Sequence, residues 1–82
     1  MTQEKILEQF TNLLRDLLAD ESIVLNMDTT RADIPAWDSF NYINFIAAAE
    51  MELKIKFSIS EVESFENVGA IVRRASILQA GK

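Results

Sequence analysis

The sequence predicts an all-α domain of four helices, with a long connection after the first and a short third helix. Three observations carry this. Apolar residues recur at spacings of three and four over residues 2–19, over 39–53 and after Asn67. Helix-start residues stand before the later segments: Asp38, then Ser58 and Ser60, then Asn67. The one strand-like stretch, Lys54-Ile55-Lys56-Phe57, alternates but has no pairing partner elsewhere in the chain.

The first helix, over 2–19, places Ile6, Phe10, Leu13, Leu14, Leu17 and Leu18 on one face. Gln3, Glu4, Gln9, Asn12, Arg15 and Asp16 fall mostly on the other, so it reads as a core-facing structural helix. Residues 20–37 form a long connection, rich in turn formers and without a sustained period. Such loops are usually functional or pinned by apolar anchors; Ile23, Val24, Leu25, Ile34 and Trp37 are the candidates. Pro35 holds Ile34 extended and delivers the chain stiffly into Asp38.

The second helix, over 39–53, carries two apolar stripes. Tyr42, Phe45, Ile46, Ala49 and Leu53 share one face; Phe40, Ile43, Ala47 and Met51 share a neighbouring one. One stripe must be core. The other is more core or an exposed contact surface, and its place beside Ser39 favours the contact surface. After an extended connector that buries Ile55 or Phe57, Ser58 with Glu61 and Ser60 with Glu63 form two overlapping capping boxes. A short helix to about residue 64 or 65 follows. Asn67 caps the last helix, whose apolar face is Val68, Ile71, Val72, Ala75 and Leu78. Arg73 and Arg74 are expected in its later half, where cations suit the dipole, and Ala80-Gly81-Lys82 should fray.

Composition bounds what this fold can do. Its 82 residues make one domain, 1–82, with no room for a separate catalytic domain. An apolar share of 49%, with two Gly and one Pro, indicates a packed core and not disorder. There is no Cys and no His. Disulfides, thiolate nucleophiles and the commonest general base and metal ligand are therefore absent. No Ser has an obvious base near it, and no calcium-type loop is present, so neither catalysis nor a metal site is expected. A net charge of −5 disfavours nucleic acid and anionic membranes as partners and favours basic docking patches. The N-terminus lacks the pattern of a signal peptide, and the longest apolar run, residues 45–49, is far short of a membrane span. A cytoplasmic monomer is the simplest expectation.

The chemistry concentrates at Trp37-Asp38-Ser39-Phe40. Asp38 reads as a helix N-cap, which leaves the Ser39 hydroxyl in solvent on the first helical turn. Helix N-termini carry free N–H donors and partial positive charge, so a phosphate ester there would be well tolerated. The stretch reads as a loading point for a phosphate-linked prosthetic arm. Asp38 and Ser39 are not a catalytic pair, because neighbouring side chains at a helix start diverge. Glu50 with Glu52 and Glu61 with Glu63 read as a solvated acidic rim.

These residues resemble the acyl carrier protein family. Asp38-Ser39-Phe40 is similar to the family's Asp-Ser-Leu motif, and Ile34-Pro35-Ala36-Trp37-Asp38-Ser39-Phe40-Asn41 resembles a Trp-Asp-Ser form seen in specialised members. The likeness continues through Glu50, Leu53, Ile55 and Phe57 to Phe65-Glu66-Asn67-Val68-Gly69, and so covers essentially the whole chain. It implies a four-helix bundle of the acyl-carrier type. It also implies a 4′-phosphopantetheine arm on Ser39, added from coenzyme A by a phosphopantetheinyl transferase. The arm's thiol would carry an acyl group for acyl-transferring or acyl-activating enzymes of a fatty-acid, polyketide or specialised pathway, making the chain a non-catalytic carrier. The resemblance assigns Phe40, Ile43, Ala47, Glu50 and Met51 to partner docking. Asn41 and Asn44 stand where acids are usual in the fatty-acid-synthase type, and Met51 replaces another, so docking should be more apolar than electrostatic. Phe45, Phe57 and Phe65 would fill the space between the second and third helices, leaving a small or closed pocket. Two alternatives remain: a peptidyl or aminoacyl carrier of a nonribosomal system, and an unmodified helical interaction module.

Overall fold

Thr2 starts the first helix, because its hydroxyl accepts from the Lys5 amide at 3.1 Å and caps α1 (Gln3–Leu18). In the computed structural model, which describes residues 1–81, α2 (Ser39–Leu53), α3 (Ile59–Ser64) and α4 (Val68–Ala80) follow. Lys82, the last residue of the expected frayed end, lies outside the described residues; Ala80 closes α4 and Gly81 caps it. The all-helical expectation holds, including the short third helix.

α1 packs against α2 and α4. It buries Ile6, Phe10 and Leu14 and half-buries Leu13 and Leu18, while Leu17 lies at the rim. Phe45 of α2 is the hub of this contact. Its ring is fully buried, edge-on to Phe10 at 5.2 Å and to Trp37 at 5.2 Å. Phe45 therefore belongs to the central core with the rest of the Tyr42 stripe, and not to the space between α2 and α3 that the family resemblance offered it.

The long connection is pinned as expected by Ile23, Leu25 and Trp37, all buried, with Ile34 half-buried. Val24 is not an anchor: it is 72% exposed. Successive side chains of an extended segment point to opposite sides, so Ile23 and Leu25 turn in and Val24 turns out. The sequence reading also missed a 3-10 turn, Arg31–Asp33, closed by a capping box between Thr30 and Asp33. The largest unforeseen feature is where this loop ends its backbone bonds. The carbonyls of Thr29 and Met27 accept from the Val68 and Gly69 amides, each at 2.8 Å. Asn67 Oδ1 takes the next amide, that of Ala70, at 2.8 Å. The first turn of α4 is thereby saturated from outside the helix. Gly69 permits it: a Cβ there would lie 2.6 Å from the Met27 carbonyl oxygen.

α3 is held differently. None of its residues is fully buried. The Ser58–Glu61 capping box starts it, whereas the overlapping Ser60–Glu63 pair is not used. Glu61 also pairs with Arg74 of α4, and the Tyr42 hydroxyl of α2 donates to the Val62 carbonyl at 2.6 Å. The Ser58 amide and then Arg74 hold the Glu61 carboxyl below its ordinary pKa. Arg73 and Arg74 thus sit mid-helix in α4 and not in its last turn, and Arg74 serves a neighbouring helix instead of the dipole.

Among the described residues, two non-glycine residues end their helices in the left-handed conformation, Ala19 at φ 52° and Lys54 at φ 55°. Only glycine adopts this without a Cβ conflict. Lys54→Gly is expected to stabilise the domain by about 0.5–1 kcal/mol, because the relieved strain outweighs the added freedom of the unfolded chain. Thermal unfolding checks this, with the midpoint rising by roughly 2–8 °C.

Candidate functional site

α2 presents its two stripes to different surroundings. Tyr42, Phe45, Ile46, Ala49 and Leu53 are buried. Phe40, Ile43 and Met51 are exposed by 74%, 56% and 80%, and Ala47 is exposed with them. Met51 and Phe40 mark the two ends of this face. Ile59 of α3, at 80% exposure, adds to the same apolar surface across a cleft.

Ser39 occupies the first position of α2 and is exposed. Asp38 stands before it in extended backbone, and Asp38 Oδ1 accepts from the Asn41 amide at 2.9 Å. Asn41 in turn donates its side-chain amide to the Ala36 carbonyl at 3.0 Å, tying the approach segment to the helix. The amides of Ser39 and Phe40 find no acceptor among the described residues, and neither does the Ser39 hydroxyl. The contrast with α4 is direct: there every first-turn amide is taken, here two remain free. This start of α2 suits an oxyanion.

A cleft of ≈290 Å³ opens beside Ser39, lined by Arg31, Tyr42, Ile43, Val62, Glu63 and Phe65. The Arg31 guanidinium stacks 4.5 Å above the Tyr42 ring. Burial raises the Tyr42 phenol above its ordinary pKa, and the Arg31 charge opposes that shift. A second, more apolar cleft of ≈410 Å³ runs between α2 and α3, bordered by Ile43, Ile46, Ala47, Phe57, Ile59 and Val62. The expected small or closed space is therefore an open groove. Phe45 turns away from it to the core, and Phe57 packs edge-on to Phe65 at 5.3 Å.

Glu50 sits differently from the free acidic contact that the sequence suggested. Its Oε2 accepts from the Phe57 amide at 2.8 Å, so one carboxylate oxygen fixes the turn after α2. Arg31 and the Tyr42–Val62 bond were not singled out by sequence reasoning. Arg31 lies in a loop without periodicity, and the Tyr42 hydroxyl bond spans twenty positions.

These features describe a small helical domain with an exposed serine at a helix start, bordering the cleft that Arg31 and Tyr42 line. No protein-family model matches the chain, and no curated protein matches it. Among solved structures, the holo acyl carrier protein from Geobacter metallireducens superimposes with a TM-score of 0.86. It is 36% identical to this chain, over 93% of this chain and 87% of that one. The chain belongs to the acyl carrier protein family. Proteins of that family carry acyl groups between transferases and acyl-handling enzymes. No helix among the described residues is long and apolar enough to cross a membrane.

Proposed function

We propose that this chain is a discrete, non-catalytic acyl carrier, a single domain over 1–82, whose Ser39 receives a 4′-phosphopantetheine arm. The observation that carries the proposal is the start of α2: an exposed Ser39 hydroxyl beside two amides without acceptors. The arm supplies a thiol, which this chain lacks, and holds an acyl group as a thioester. Asp38 contributes by capping the first turn through the Asn41 amide, which leaves the Ser39 and Phe40 amides free beside the Ser39 hydroxyl. The apolar groove between α2 and α3 gives an acyl chain a place to lie out of water. A fluorescent coenzyme A analogue with a promiscuous phosphopantetheinyl transferase should label the wild-type chain and leave Ser39→Ala unlabelled.

Partner enzymes dock, on this reading, through Phe40, Ile43, Ala47 and Met51, with the groove rim at Ile59. The first half of α2 carries no charged residue after Asp38, and Glu50 is half engaged by the Phe57 amide. Both features favour, on this reading, a specialised pathway of the Trp-Asp-Ser type over bulk fatty-acid synthesis, and a cytoplasmic carrier is part of the same proposal. Apolar docking predicts a weak salt response. The transferase KM for this carrier should change by no more than about threefold between low and high ionic strength, since only exposed charge pairs are screened. A steep rise with salt would show that charges elsewhere on the acidic surface govern docking.

A further inference from the structure

Arg31 borders the cleft beside Ser39 and is the only cation among its lining residues. It has no carboxylate within ion-pair distance among the described residues. The side chain is nonetheless held in place. Its turn is closed by the Thr30–Asp33 capping box, and the guanidinium lies 4.5 Å above the Tyr42 ring. That ring is itself fixed by the hydroxyl bond to the Val62 carbonyl. One face of the guanidinium is therefore committed to an aromatic ring, while its N–H edges remain available. A planar donor fork with free edges is complementary to a phosphodiester, which can accept two parallel N–H bonds. Glu63 borders the same cleft from α3 and is not paired with Arg31. Its charge repels an anion from the α3 side and leaves the Arg31 side as the favourable one.

We infer that Arg31 is a positioning residue for the prosthetic arm: it pairs with the phosphodiester formed on Ser39 and holds the base of the arm on the Arg31–Tyr42 side of the cleft. The inference rests on the carrier reading and adds to it a residue outside the helix that bears the attachment point.

The test compares wild type, Arg31→Lys and Arg31→Gln, each loaded enzymatically and checked by intact mass. Arg31 is exposed, so the variants should fold, and circular dichroism verifies that they do. On loading, the wild-type Arg31 Nε–H resonance should move and its hydrogen exchange should slow about two- to fivefold, as for an exposed ion pair. The effect should fade in high salt. The ³¹P resonance of the arm should differ between wild type and Arg31→Gln, with Arg31→Lys between them. A gain in mass with an unmoved Arg31 resonance and the same ³¹P position in all forms would overturn the inference alone. So would an equal displacement of Arg31 in the unloaded protein by inorganic phosphate at the same concentration, which would mark a general anion contact. Failure of the folded wild type to gain mass would overturn the carrier reading and the inference together.

Discussion

Phe45→Ala is expected to remove much of the domain's stability, a loss of about 3–5 kcal/mol. The side chain is fully buried and bridges α1, α2 and the end of the long loop through its contacts with Phe10 and Trp37. Truncation removes the transfer free energy of the ring and leaves a cavity between helices that cannot collapse freely. A domain of this size has roughly 4–12 kcal/mol in all, so the loss is decisive. The thermal midpoint should fall by roughly 12–40 °C. Phe40→Ala is the matched control. It removes the same side chain from the same helix, but at a site 74% exposed. Its effect should stay within about 0.5 kcal/mol. Similar losses at both positions would refute the assignment of one stripe to the core and the other to a free surface.

Gly69→Ala should be the second large effect, and its sign is not the one helix propensity gives. Alanine inside a helix is favoured over glycine by about 1 kcal/mol. Here the added Cβ would meet the Met27 carbonyl oxygen at 2.6 Å, with the Met27 Cβ at 3.2 Å. Relief requires the loop to move off α4, which breaks the Gly69 amide bond to that same carbonyl. Overpacking of about 1–3 kcal/mol and a lost hydrogen bond of about 0.5–1.5 kcal/mol outweigh the propensity gain. A net destabilisation of about 1–3 kcal/mol is expected, read from denaturant midpoints. Gly81→Ala is the control, because its Cβ would find its nearest neighbours at an ordinary 3.7 Å. A stabilised Gly69→Ala would mean that the loop is not seated on the start of α4.

The two faces of α2 were legible in the sequence because a period of 3.6 separates them without reference to anything else. The caps at Asp38, Ser58 and Asn67 were legible for a similar reason: each bond closes within three residues. What the sequence hid depends on contacts between distant segments. Gly69 looks like an ordinary helical glycine until Met27 is found against it. Val24 looks as good an anchor as Ile23 and Leu25 until the chain is seen extended. Glu50 reads as a surface acid until the Phe57 amide turns back to it seven positions later. The groove between α2 and α3 was expected closed because three phenylalanines seemed available to fill it, but Phe45 faces the opposite side of its helix. Arg31 carried no signal at all, since a lone cation in a loop has meaning only beside the side chain it stacks on.

The most direct test of the account is the site at which the arm is attached. The chain should be incubated with coenzyme A, magnesium and a promiscuous phosphopantetheinyl transferase, weighed intact, then cleaved and its peptides sequenced by mass. The hydroxyls of Ser22, Ser58 and Ser64 are engaged in hydrogen bonds, which leaves Ser60 and Ser76 as the other serines without one among the described residues. Ser76 lies half-buried within α4, and Ser60 lies on the six-residue α3. The account predicts a gain of one phosphopantetheine, confined to the peptide that contains Ser39 and absent from Ser39→Ala. No gain by the folded wild type, or a gain that persists in Ser39→Ala, would contradict it.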